Sequence, residues 1–321
     1  MPTQQSIPVV AVVGPTASGK TGLGVYLAKR FSGEVISADS MQVYKGMPIG
    51  TAQPTKEEME NVPHHLMGFL DPREQFSVAR WCQLAEQCIK DIRYRGSLPI
   101  LVGGTGLYIS ALLDNIQFID SPSDPELRQR LNRRAKEEGG QALLNELTQY
   151  DPETAAALHP NNVGRIVRAI EMYTLTGITM AEQRRRSRES PSPYHPIMIG
   201  ICYQDRQKLY DRINKRVDQM MEQGLLEEAK AAIEVEEGCG LQAIGHKELF
   251  PYLKGEVSLE EALERLKQST RRYAKRQLTW FRRDERIHWL EADALGSFDI
   301  LCKKACELVE KELGLCYNKT C

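Results

Sequence analysis

No run of the chain stays apolar for the roughly 18 residues that a membrane crossing needs, which argues against a spanning helix. The first residues lack the charged segment and apolar stretch of a secretory signal, so a cytoplasmic protein is expected. Paired cysteines are missing as well. Eight cysteines are scattered over 321 residues without one C-x-x-C pair, and no His pair stands at zinc-finger spacing. That argues against a disulfide framework and against structural zinc; reduced thiols packed in a core are expected. Charge of one sign is absent too. The net charge is −1, which excludes a uniformly basic coat for nucleic acid and leaves only local patches. Repeats and low-complexity tracts do not occur. With 41% hydrophobic and 26% charged residues, the composition is that of a folded globular protein and not a disordered one.

What is present is an alternation of short apolar runs with helical patterns. Residues 8–13 (PVVAVV) are a continuous valine-rich run, the mark of a buried parallel strand. Residues 34–38 (EVISA), 98–102 (LPILV), 197–203 (IMIGICY) and 287–290 read as four further strands. Helical spacing lies between them, at residues 21–30 and 76–93. The implied class is α/β, a mainly parallel sheet flanked by helices. From 114 to 196 the strand runs stop. Asp124-Pro125-Glu126 and Asp151-Pro152-Glu153 look like helix starts, with Asp as cap and Pro in the first turn. Gly177 suits the end of a helix over residues 163–176. The expected organisation is therefore a core of residues 1–113 and 197–321 carrying an all-helical insertion, residues 114–196. After the fourth strand, helices are expected at 205–223, from a capping box at Ser258-Leu259-Glu260-Glu261 to about residue 283, and at 299–313.

Gly14-Pro15-Thr16-Ala17-Ser18-Gly19-Lys20-Thr21 fits G-x-x-x-x-G-K-[ST] and has a strand before it and a helix after it. Such a loop turns backbone N–H groups toward phosphate oxygens, and the positive end of the helix adds to the pull. Lys20 supplies a point charge, and the Thr21 hydroxyl can hold Mg²⁺. The motif points to a phosphate or diphosphate ligand without specifying ATP. Asp39, in Asp39-Ser40-Met41-Gln42, follows the second strand, where a carboxylate faces the ligand crevice. It can serve as a magnesium ligand, as a general base, or as a turn residue. Gly103-Gly104-Thr105-Gly106 follows the third strand, placing the Thr105 hydroxyl on the same rim. Arg212 and Arg216, four apart, share a helix face that can close over a diphosphate. Two basic clusters suit a polyanion: Arg128, Arg130, Arg133, Arg134 and Lys136 on the insertion, and residues 271–286 near the C-terminus, with Trp280 and Phe281 interleaved.

Together these segments resemble the tRNA dimethylallyltransferase (tRNA isopentenyltransferase) family. The matching pieces are GPTASGKT at Gly14, ISADSMQVY at Ile36, VGGTGLY at Val102, HPNN with RIVRAIE from His159, LQAIGHKEL at Leu241 and KRQLTWFR at Lys275. They follow the family's order over nearly the whole chain. GPTASGKT alone is shared with other P-loop proteins, whereas its combination with DSMQVY and KRQLTWFR is specific. The resemblance implies a P-loop NTPase-like core whose loop holds dimethylallyl diphosphate, and an inserted subdomain gripping the tRNA anticodon stem-loop. The acceptor would be N6 of the adenosine at tRNA position 37. By position Asp39 matches the general base and Thr105 a residue at the reacting centre. Gly14, Thr16, Ala17, Ser18, Gly19, Lys20 and Thr21, with Arg212 or Arg216, match the diphosphate site.

For tRNA contact the resemblance implies Asp39, Ser40, Met41 and Gln42, with Gln42 reading the Watson–Crick edge of the flipped base. It further implies Arg128; Asn162, Val163, Gly164, Arg165 and Ile166; Gln242, Gly245, His246 and Lys247; and Lys275, Arg276, Gln277, Trp280 and Arg282. Gly164 stands where the family often has glutamine, and His246 where tyrosine is usual. The zinc finger of eukaryotic relatives is missing, which suggests a bacterial-type enzyme, and a monomer is expected. Three other readings remain: an adenylate isopentenyltransferase, a small-molecule kinase and a nucleotide-gated RNA-binding module. The length of the helical insertion speaks against the first.

Overall fold

The computed structural model describes residues 6–118, 123–233, 238, 240 and 243–314. Six parallel strands form one sheet in the order β3-β2-β4-β1-β5-β6. They are β1 (Ile7–Val13), β2 (Gly33–Ser37), β3 (His64–His65), β4 (Leu98–Gly103), β5 (Tyr194–Cys202) and β6 (Ile287–Glu291). The valine run of β1 is central, paired with β4 on one side and β5 on the other, and Val9 to Val13 are fully buried, as a strand covered on both faces requires. The chain runs from β1 to β2, skipping the place of β4, and later returns to β5 on the opposite side of β1. Such a reversal opens a crevice beyond the carboxyl ends of the strands.

Two features differ from expectation. The edge strand β3 has two residues, too few for any alternation to show in sequence. It is held by pairing Val35 with His64 and Ile36 with His65. Strand β5 begins at Tyr194, in register with Ile7, so residues 194–196 belong to the core. Pro196 is tolerated because β6 joins β5 only from Met198 onward, leaving Pro196 with one strand neighbour.

Helices α1 (Lys20–Arg30), α2 (Lys56–Met59), α3 (Val78–Tyr94) and α4 (Gly106–Leu113) belong to the first half of the core. The chain divides into two compact units, residues 114–192 and the remainder. The smaller unit holds α5 (Pro125–Glu137), α6 (Gly140–Thr148), α7 (Pro152–Ala156), α8 (Val163–Thr176) and α9 (Met180–Arg186). Its caps are those read from sequence: Asp124 accepts from the N–H groups of Glu126 and Leu127, Asp151 from Thr154, and Gly177 closes α8 at φ 69°. It has its own core, built around Leu127, Leu131, Leu143, Leu147, Ile166 and Ile170. The larger unit ends with α10 (Arg206–Glu222), α11 (Leu225–Ile233), α12 (His246–Leu253), α13 (Leu259–Phe281) and α14 (Phe298–Glu312). At the start of α13 the Ser258 hydroxyl accepts from the Glu261 N–H, while the Glu261 carboxylate pairs with Arg265.

Candidate active site

The loop between β1 and α1 is shaped by backbone that few residues tolerate. Gly14 has φ 145°, and a Cβ there would stand 2.6 Å from the carbonyl oxygen of Ile201. Gly19, the N-cap of α1, has φ 98°. No side chain caps α1 and its first turn has no acidic residue, so its leading N–H groups and positive end are left for an anion. The buried Ser18 hydroxyl has no hydrogen-bond partner among the described residues. An anion in the loop would satisfy it.

Two cavities meet over this loop. The first, about 440 Å³, is polar: Ser18 to Thr21 form one wall, and Arg212, Lys215 and Arg216 of α10 form another. The second, about 310 Å³, combines Asp39 and Lys20 with an apolar wall of Ile213, Val217, Met220, Ile244 and Leu266. Lys20, Thr21, Ala52, Arg216 and Met220 line both. Both paired arginines line the first cavity: Arg212 donates to the Ala17 carbonyl at 2.9 Å, and Arg216 lines the second cavity as well.

Charge at the junction is tuned by burial. Burial and the nearby Arg216 guanidinium bring the Lys20 ammonium down to about 7, against an opposing pull from Asp39. Lys20 donates to the Pro15 carbonyl at 2.6 Å. Burial raises the Asp39 carboxyl; the N–H of Met41 (2.9 Å) and the charges of Lys20 and Arg216 limit that rise. Beside Asp39, the Thr105 hydroxyl accepts from the Ser40 N–H at 3.0 Å. Ser40 and Met41 line the second cavity.

Several residues expected to face RNA also bond or pack inside the protein. Gln42 accepts from the Ser37 hydroxyl (2.8 Å) and donates to the Ala52 carbonyl (3.0 Å), so its amide braces the loop that follows β2 while the side chain lines the second cavity. His246 is fully buried and bonds Glu228 at 2.7 Å; the same carboxylate accepts from the N–H groups of Ile49 and Gly50. Ile166 packs in the helical core, and Gln277 is buried. Gln42 and Gln277 also line the second cavity, whereas His246 and Ile166 are fully buried. Arg128 is half-buried and committed to Glu171 of α8 at 2.8 Å. Asn162, Gly164 and Arg165 are exposed at the start of α8, with Val163 half-buried. Lys275, Arg276 and Arg282 are exposed, as is Lys247; Lys247 and Arg276 also reach the second cavity. Gly245, at φ 126°, begins α12. The Trp280 indole lies where a Cβ on Gly106 would be, which is why a glycine follows Thr105. Gln242 lies outside the described residues.

Sequence reasoning passed over Tyr273, which lines the second cavity and interacts with Thr105 and Gln277. It also passed over Glu228 and Glu171. The only sequence signal for Tyr273 was its place one helical turn before Gln277.

The family model described as IPP transferase matches residues 42–284, and the one described as isopentenyl transferase matches residues 7–69. A tRNA dimethylallyltransferase of Halalkalibacterium halodurans is 52% identical over 285 residues, covering 88% of this chain and 90% of its own. One from Acetivibrio thermocellus is 49% identical, covering 92% and 95%. Among solved structures, a tRNA isopentenylpyrophosphate transferase from Bacillus halodurans aligns with TM-score 0.72 at 47% identity over 96% of this chain and 97% of its own. A eukaryotic dimethylallyltransferase acting on tRNA aligns with TM-score 0.83 at 31% identity over 98% and 81%.

Proposed function

The chain belongs to the tRNA dimethylallyltransferase family, and we propose on that footing that it moves a dimethylallyl group from dimethylallyl diphosphate to N6 of the adenosine at position 37 of tRNA. One observation carries the reading beyond family membership: a polar compartment on the phosphate loop opens, at Lys20 and Arg216, into an apolar compartment that holds Asp39. A diphosphate suits the first and a five-carbon hydrocarbon suits the second, so the C1–oxygen bond would lie at the junction.

In the reaction, a bond forms between N6 and C1 as the bond from C1 to the diphosphate oxygen breaks. The N6 lone pair is delocalised into the adenine ring, so a proton must leave as the bond forms. Asp39 takes it. Burial raises its carboxyl, which makes the carboxylate a better proton acceptor than an ordinary aspartate, while the neighbouring Lys20 and Arg216 limit the rise. Charge that gathers on the leaving diphosphate meets the N–H groups of the loop, Lys20 and Arg216. The apolar wall keeps water from the allylic centre. Thr21 offers a hard oxygen on both compartments, a donor suited to Mg²⁺ shared with diphosphate oxygens and water. The ion would neutralise leaving-group charge. The anticodon stem-loop would lie against the exposed basic residues of α13 and the helical unit, with the adenosine extruded from its stack. No helix among the described residues is long and apolar enough to cross a membrane.

The test is transfer of labelled prenyl from dimethylallyl diphosphate with Mg²⁺. The acceptors are an anticodon stem-loop with the target adenosine, the same stem-loop with guanosine there, and AMP. Label confined to the adenosine stem-loop is expected. Label on AMP would move the chain to the adenylate enzymes.

A further inference from the structure

The side chain of Gln277 spans two loops that are far apart in sequence. Its Oε1 accepts from the N–H of Thr16 in the phosphate loop at 2.8 Å, and its Nε2 donates to the carbonyl of Gly104 at 3.1 Å. It is buried, and its amide occupies the space a Cβ on Gly104 would need, 2.0 Å away. From Gly104 the chain passes to Thr105, whose hydroxyl accepts from Ser40, the neighbour of Asp39. One amide thus connects the loop that would hold the donor to the loop that carries the proposed base. On α13 this residue shares the inward face with Tyr273 and Phe281, while Lys275 is exposed and Arg276, also exposed, reaches the second cavity.

We infer that Gln277 is a positioning residue: it sets the distance between the phosphate loop and the Asp39–Thr105 rim, and so the alignment of C1 with N6. The inference rests on the transfer reaction proposed above. Misalignment of about 1 Å can cost on the order of a hundredfold in rate, because the reacting atoms no longer meet in a near-attack geometry. Gln277 also lines the second cavity, so affinities near wild type are what separate a positioning role from a binding one.

Full-length wild type, Gln277→Leu and Gln277→Glu are compared. The measurements are single-turnover prenyl transfer to the adenosine stem-loop, affinity for inorganic diphosphate, and affinity for the stem-loop. In Gln277→Leu the transfer rate should fall about a hundredfold while both affinities stay within about threefold of wild type. In Gln277→Glu a carboxylate cannot donate to the Gly104 carbonyl but a neutral carboxyl can. Its rate relative to wild type should therefore recover as pH is lowered from about 8 to about 6, burial favouring the neutral form. This pH-dependent rescue is one that simple loss of packing would not produce, and it stands even if Gln277→Leu folds poorly. Weakened stem-loop affinity with an unchanged saturated rate would make Gln277 an RNA contact and overturn the inference. So would unchanged transfer in both variants, or a Gln277→Glu deficit independent of pH. Absence of transfer by wild type would sink the functional reading itself, and the inference with it.

Discussion

Asp39 and Lys20 are shifted by the same cause, burial at the junction of two compartments, and the shifts have opposite consequences for ligands. Asp39 must be ionised to take a proton, and burial raises its carboxyl. The acidic limb of kcat/KM against pH should therefore lie above the ordinary aspartate value of about 4, activity rising with pH through it. Asp39→Asn keeps the shape of the side chain. It should lower kcat by about 10²–10⁴-fold while diphosphate and stem-loop affinities survive; near-normal turnover would exclude Asp39 as the base. Lys20, at about 7, is mostly neutral at pH 8, and a bound diphosphate favours its charged form. Diphosphate binding at that pH should take up a proton, and affinity should fall as pH rises past about 7. Calorimetry in two buffers of different ionisation heat reads the uptake directly. The excess over Lys20→Met belongs to this side chain, and equal uptake in both proteins would remove Lys20 from the diphosphate site.

Helices show what sequence could and could not convey. On α5 the sequence presents five basic residues as one cluster, but the fold sorts them. Leu127 and Leu131 face the core of the helical unit, which turns Arg128 toward the fully buried Glu171 while Arg130 and Arg133 stay exposed. Burial alone would raise the Glu171 carboxyl. Bonds from Arg128, the Asp124 N–H and Arg168 outweigh it and hold the group below the usual range. Arg128→Ala should thus cost about 1–3 kcal/mol of stability by leaving a buried acceptor short of a partner, read as a lower urea midpoint. The double variant Arg130→Ala, Arg133→Ala should leave the midpoint unchanged and weaken tRNA binding. If Arg128→Ala alters tRNA affinity alone, its pairing with Glu171 is not structural. Caps, strand runs and the phosphate loop were readable because each depends on residues within a few positions. The internal partners of Gln277 and His246 were not legible because they are distant in sequence: Gln277 and Thr16 are 261 positions apart, His246 and Glu228 18. Spacing cannot reveal whether an amide on an amphipathic helix faces RNA or its own protein. The two-residue β3 carried no periodic signal at all.

At the scale of the whole molecule, a net charge of −1 means that the total field does not draw tRNA in. On the proposed reading, phosphates would be neutralised at short range by exposed basic residues such as Lys275, Arg276 and Arg282 on and just past α13, or Arg130 and Arg133 on α5. Local contacts of this kind still release counterions, so affinity should depend on salt even though the protein as a whole is slightly acidic. With about four phosphates contacted, affinity for the stem-loop should fall about a hundredfold between 50 and 200 mM salt. Removing one contacting cation should reduce the slope by about one, uniformly across stem-loop sequences. Fluorescence anisotropy over that salt range measures both quantities. A flat salt response would mean that neither basic cluster touches the phosphate backbone, and recognition would then have to rest on the extruded adenosine and the second cavity alone.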